Sequence, residues 1–287
     1  MPYSEPVTDN LIFTVKCPDK PGITYAITGL LASVGGNILE SQQFNDRESG
    51  YFFVRIEAEV PGGLHTIDNA FAVLARIHGM EYDISPADKP MRVLIMVTKD
   101  SHCLYDLLSK QREGRLPIDI VGVVGNHETL RPLAEFYGHE FIHIPITADT
   151  KPEAEAELWS IIKDRDVELV VLARYMQILS EDMCLKLAGN AINIHHSFLP
   201  SFKGARPYQQ AHMRGVKLIG ATAHYVTPDL DEGPIIEQDV VRVAHDEDED
   251  ELMSKGAEVE RQVLSRAVRW HAEHRVMMNG ERTVIFN

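Results

Sequence analysis

From Arg92 onward, short apolar runs alternate with helical stretches, and no other feature of the chain narrows its fold so far. Arg92 to Val97 precedes Leu104 to Glu113, Ile118 to Val124 precedes Leu130 to Tyr137, Phe141 to Ile144 precedes Pro152 to Asp164, and Leu169 to Ala173 precedes Glu181 to Leu187. Strands separated by helices run mainly parallel, because each helix carries the chain back to the edge where the last strand began. Helices then cover both faces of the sheet, so its strands read as nearly continuous apolar runs. Ligands of such sheets sit beyond the carboxyl ends of the strands.

The first third of the chain has a different rhythm. Leu11 to Val15 reads as a strand, and Cys17 to Gly22 breaks the pattern and opens a helix whose Ile23, Ile27, Leu30, Leu31 and Val34 recur at helical spacing. Asn37 to Phe44 and Tyr51 to Val60 form an antiparallel pair around a polar turn, Leu64 to His78 forms a second helix, and Met80 to Ser85 a last strand. The order is βαββαβ. Pro86 to Pro90 is a short linker of proline and charge, which sets two domains at residues 8–87 and 90–287. A chain of 287 residues, 44% hydrophobic, has the length and the apolar content for two cores.

A net charge of -15 argues against a nucleic-acid partner, since phosphate binding needs clustered Lys and Arg. Cys17, Cys103 and Cys184 are far apart and odd in number, which fits free thiols in a reducing compartment. The polar stretch Met1 to Asn10, with Pro2 and Pro6, has no signal-peptide core, and no later run reaches the ~18 apolar residues of a membrane span. The expectation is a cytoplasmic protein without a membrane partner.

The residues with chemistry to offer gather between Ala191 and Asp239. Ala191 to His195 reads as a buried strand that Pro200 and Gly204 force into a loop; Leu218 to Val226 is a second strand, Thr227 to Gly233 a tight acidic turn, and Pro234 to Val243 a third strand. Asn193 and His195, two apart, share a face, and the turn can close Asp231 back on His195. This trio suits attack on a carbonyl: an amide and a protonated imidazole donate to the developing oxyanion while the carboxylate holds the imidazolium and helps move a proton. The same three residues fit a plainer role, as a backbone-satisfying amide, a hydrogen-bonded core histidine and a turn aspartate. His195, His196, His212 and His224 show no metal-ligand spacing, and adjacent strand histidines diverge, so no metal is expected and His196 reads as packing.

Resemblance decides between the two roles. Asn193-Ile194-His195, Ser197 to Ser201, His224-Tyr225-Val226 and Asp231-Glu232-Gly233-Pro234 resemble the pattern of the formyltransferase fold that uses 10-formyltetrahydrofolate, and within it the deformylases. The likeness covers roughly residues 90–287 and implies a Rossmann-like, mainly parallel α/β domain in which Asn193, His195 and Asp231 are catalytic. It further implies that Met176, Gln177, Ile178 and Leu179 grip the folate ring from one side and Val226, Thr227, Pro228 and Asp229 from the other. The first third, with Asp19-Lys20-Pro21-Gly22 and Gly36-Asn37-Ile38, is similar to a ferredoxin-like ACT domain. That similarity implies pairing of like domains into a homo-oligomer and an amino-acid effector such as glycine or methionine, held near Asp19, Gly22, Ile23 and Asn37. The plainer reading of Asp19, Pro21 and Gly22 is a helix entry.

Related transformylases take a substrate phosphate on a glycine-rich loop after their first strand. The matching Val97 to Cys103 has no glycine and carries Asp100; Gln177 stands where they have arginine, and His196 where they have proline. Without an amine acceptor, water is the simplest nucleophile. The resemblance therefore implies hydrolysis of 10-formyltetrahydrofolate to tetrahydrofolate and formate with no cofactor, supplying formate for purine biosynthesis and balancing the one-carbon pool. Transfer to another amine, and a non-catalytic folate or amino-acid sensor, are the alternatives.

Overall fold

The computed structural model describes residues 8–200 and 207–287, so Pro2, Pro6, Ser201 and Gly204 of the motifs above lie outside the described residues. The chain forms two compact units. One runs up to Lys89 and takes in Glu273–Asn279 and Thr283–Asn287; the other is Pro90–Ala272 with Gly280–Arg282.

In the first unit the elements follow the expected order: β1 (Thr8–Pro18), α1 (Ile23–Ser33), β2 (Asn37–Asp46), β3 (Tyr51–Pro61), α2 (Leu64–His78) and β4 (Glu81–Pro86). The sheet order is β2-β3-β1-β4. Its core is built from the inward period of the strands and one stripe of each helix: Phe13, Val15, Val54 and Ile56 pack against Ile27 and Leu31 of α1 and Ile67 and Phe71 of α2.

The second unit opens with β5 (Met91–Val97), α3 (His102–Arg112), β6 (Ile118–Gly125), α4 (Arg131–Phe136), β7 (Phe141–His143), α5 (Lys151–Asp164), β8 (Leu169–Leu172), α6 (Glu181–Lys186) and β9 (Ala191–His195). It continues with α7 (Pro207–Arg214), β10 (Leu218–Tyr225), β11 (Ile235–Arg242) and the long α8 (Glu249–Ala272). The sheet order is β11-β10-β9-β8-β5-β6-β7. β5 to β9 pair in parallel, while β10 runs antiparallel to both β9 and β11. The expected mixed architecture, a ferredoxin-like unit followed by a mainly parallel sheet, is the one observed. β8 is buried at every residue, as a central strand covered on both faces must be. The acidic run Asp246 to Glu251 opens α8 and holds a reciprocal cap: Glu251 N–H donates to Asp248 Oδ1 and Asp248 N–H to Glu251 Oε2, both at 2.9 Å.

A C-terminal hairpin forms as β12 (Val276–Asn279) and β13 (Arg282–Ile285), and all of it except the turn and Arg282 groups with the first unit, where the sequence boundary placed it in the second. The reason is polar. Asn279 Nδ2 donates to Asp46 Oδ2 at 2.7 Å, Arg275 Nη2 to Glu40 Oε2 at 3.3 Å, and the buried Arg55 donates to Glu40 at 2.6 Å and to the Glu273 carbonyl at 3.2 Å. Glu40 and Arg55 pair with each other within the sheet, and Arg275 and the Glu273 carbonyl add further partners where the hairpin lies against them. Among the described residues, no helix is long and apolar enough to cross a membrane.

Candidate active site

The segments that follow β8, β9 and β10 wall a cleft of about 550 Å³. Asn193 and His195 both line it, as the two-residue period of a strand requires. Across the antiparallel pair Asn193 sits opposite His224, and His195 opposite Thr222. The loop after β9 is pinned by Thr222, whose Oγ1 donates to the Ser197 carbonyl at 2.9 Å and accepts from Leu199 N–H at 3.1 Å.

Asp231 reaches the strand because the turn after β10 folds back tightly. Tyr225 N–H donates to the Pro234 carbonyl at 2.9 Å, and a Cβ at Gly233 would stand 1.7 Å from the Tyr225 oxygen, so only glycine permits the approach. Asp231 itself sits in the left-handed region at φ 57°. Its Oδ2 is 3.3 Å from His195 Nδ1 and its Oδ1 3.7 Å from His224 Nε2. Burial alone would raise the Asp231 carboxyl, but the hydrogen bond from His195, together with the nearby His224 ring, outweighs it and holds the group well below the usual carboxylate range.

These bonds fix where the protons lie. His195 donates from Nδ1 to Asp231, which leaves its Nε2 toward the cleft; that nitrogen is buried and has no partner among the described residues. His224 donates from Nδ1 to the Tyr225 carbonyl at 2.9 Å, so Nε2 of the neutral ring accepts, and Asn193 Nδ2 lies 3.2 Å away. His224 thereby aims the Asn193 amide. Sequence reasoning gave His224 no role, although it opens the quoted segment His224-Tyr225-Val226; the pairing register of β9 and β10 is the signal that finds it.

Met176, Gln177, Ile178 and Leu179 line one wall, held by Thr98, whose Oγ1 accepts from Met176 N–H at 2.9 Å, and by Glu155, which accepts from Ser180 N–H at 2.8 Å. Met176 is 55% and Ile178 61% exposed, an apolar surface left open beside fixed backbone groups, which suits a flat heterocycle. Val226, Thr227 and Pro228 line the facing wall, and Asp229 lies at the exposed turn beyond, its carbonyl accepting from Thr227 Oγ1 at 3.0 Å. In the first unit, Asp19 and Gly22 are exposed, Ile23 is buried in the core, and the exposed Asn37 gives its amide to Glu59 at 3.3 Å.

His196 departs from expectation. β9 ends at His195, so strand alternation no longer applies to the next residue, and its ring stacks on that of His195 with centroids 5.1 Å apart and 21° between planes. His196 lines the same cleft. Its Nδ1 meets Arg174 Nη1, and Arg174 in turn donates to Asp100 Oδ2 from Nε at 3.1 Å and Nη2 at 2.9 Å. Behind it the buried Glu260 takes Tyr208 Oη at 2.5 Å and faces His102 Nε2 at 2.8 Å. Among the described residues, His102, Cys103 and Glu260 bring metal-capable atoms within 4.8 Å of one another. Arg174 Nε lies 3.5 Å from Glu260 Oε2, so a cation already faces this carboxylate.

Comparison with known proteins identifies the family of both units. A family model described as formyl transferase matches residues 91–268, and one described as ACT domain matches residues 11–74. A formyltetrahydrofolate deformylase from a Corynebacterium species is 48% identical over 277 residues, covering 96% of this chain and 97% of the relative. The crystal structure of a formyltetrahydrofolate deformylase from Burkholderia mallei superposes with a TM-score of 0.94 at 47% identity, covering 97% of this chain and 100% of that one. A glycinamide ribonucleotide transformylase from Symbiobacterium toebii gives a TM-score of 0.64 at 30% identity, covering 69% of this chain and 94% of that one.

Proposed function

The chain belongs to the formyltetrahydrofolate deformylase family, and from that premise we propose that it hydrolyses 10-formyltetrahydrofolate to tetrahydrofolate and formate. The observation that carries the mechanism is the free Nε2 of His195 on a ring whose Nδ1 is held by Asp231. The folate ring lies between the Met176–Leu179 wall and the Val226–Asp229 wall, and its formyl oxygen accepts from the Asn193 amide that His224 aims. His195 Nε2 takes a proton from water as the water oxygen bonds to the formyl carbon, and the imidazolium is stabilised by the Asp231 carboxylate. Collapse of the tetrahedral intermediate breaks the bond from carbon to N10, and N10 takes the proton from His195. Asp231 is too weak a base to take that proton itself, so its part is to hold the ring.

Substitution of the trio tests these roles. Asp231→Asn and Asn193→Ala each lower kcat by ~10²-fold or more with folate still bound. Near-normal turnover in both would remove the assignment.

No cofactor is needed for this chemistry. The formate supplies purine biosynthesis and the reaction balances the one-carbon folate pool in the cytoplasm. The ACT unit binds an amino acid such as glycine or methionine through Asp19, Asn37 and the N–H groups of Gly22 and Ile23, and pairs with its copy in a homo-oligomer. Unchanged turnover across a panel of amino acids, together with sedimentation as a monomer, would count against both.

A further inference from the structure

Water attack differs from transfer to an amine in one respect that the trio does not answer. The tetrahedral carbon carries two oxygens instead of one, and Asn193 serves only the oxygen that came from the carbonyl. We propose that His196 is a further active-site residue, whose Nε2–H holds the water-derived oxygen through attack and collapse. This rests on the hydrolytic reading above.

Three independent observations converge on that nitrogen. Arg174 is always protonated and meets His196 at Nδ1, so Nδ1 accepts and the ring proton is confined to Nε2. That Nε2 is buried and has no partner among the described residues, although His196 lines the cleft. The ring stacks on that of His195, with centroids 5.1 Å apart and 21° between planes, so the two imidazoles border the same cleft. Arg174 is itself anchored, by Asp100 at 2.9 Å and Glu260 at 3.5 Å, with its backbone in the left-handed region at φ 62°. A non-glycine residue is held there at a cost, as is common for groups fixed at functional sites.

The groups that act electrostatically on the ring are Arg174, Glu260, His195 and Asp231, with the Tyr208 ring 6.1 Å away. Burial first, and then the Arg174 charge, push the His196 imidazole down to about 4. It is therefore neutral where His195 works, and donates without competing for the proton. In the balanced step the water proton passes to His195 while its oxygen, held by His196, bonds to carbon and the carbonyl pair moves to the oxygen on Asn193. The pair returns, the bond to N10 breaks, N10 takes the proton from His195, and formic acid leaves His196 and ionises in solvent.

The test compares wild type, His196→Phe and His196→Gln at saturating 10-formyltetrahydrofolate, with urea midpoints for each. His196→Phe keeps the ring and loses the donor, so kcat falls ~10²-fold while KM stays within about twofold. His196→Gln, whose amide N–H reaches about as far as Nε2, recovers a large part of that loss. Turnover in His196→Phe within about threefold of wild type, a loss confined to KM, or a Gln variant no better than Phe would overturn the proposal. Should His196→Phe not fold, His196→Met, which also lacks an N–H, takes its place. Absence of formate from the wild type would instead strike the hydrolytic reading itself.

Discussion

Asp231 accepts from His195 and His224 accepts from Asn193, and the direction of each contact decides what the residue does. His224 touches no reacting atom in this account; it orients Asn193 through a 3.2 Å contact. His224→Phe should lower kcat by about 10-fold to 10²-fold with little change in KM, which steady-state kinetics read directly. The acid side of the stability profile follows from His196 and Asp231. The folded His196 sits at about 4, against about 6.5 in an unfolded chain, so the unfolded state binds more protons between these values. Stability is fully present above pH ~6.5 and falls with pH by up to about 3 kcal/mol as pH drops through ~4. The depressed Asp231 carboxyl has the same sign and begins to lose its contribution below the usual carboxylate range. Urea titrations at pH 5 and pH 7 should differ less for His196→Gln than for wild type. Asn193 and His195 were legible because strand period alone puts them together; His224 needed the register, and Arg174 reaches Asp100 across 74 positions, which no local pattern encodes.

At the scale of elements, the turn between β10 and β11 is the piece that turns a strand pair into a site. Gly233→Ala forces a Cβ against the Tyr225 carbonyl, breaks the return of the chain and draws Asp231 from His195. Activity should drop at least as far as in Asp231→Asn, and a urea midpoint should show a loss of about 1–3 kcal/mol. Full activity in that variant would mean the loop does not hold the carboxylate. The elements themselves were readable from periodicity: α1, α2 and β1 to β4 lie within a few residues of the expected spans, and α8 begins within the acidic run. α7 was not foreseen, since Pro207–Arg214 is short, largely polar and follows a stretch marked by Pro200 and Gly204. β9 ends at His195 as expected, and the error lay beyond it: strand alternation was applied to His196, which no longer belongs to the strand.

For the whole molecule, the sequence divided the chain at its linker, and the structure divides it partly by its hairpin. Strand propensity and Asn279-Gly280 make β12 and β13 legible, but their host is chosen by charges far away in sequence, the buried Asp46 and Arg55 and the half-buried Glu40. Asn279→Ala leaves Asp46 without one of its partners and should destabilise the first unit by about 1–3 kcal/mol, detectable by thermal unfolding. Family membership and the cleft chemistry together make one claim about the intact protein, that water receives the formyl group. The most direct measurement is incubation with 10-formyltetrahydrofolate and no added amine, following both products. The account predicts formate and tetrahydrofolate released in equal amounts over many turnovers and abolished in Asp231→Asn; tight folate binding with no formate released would contradict it.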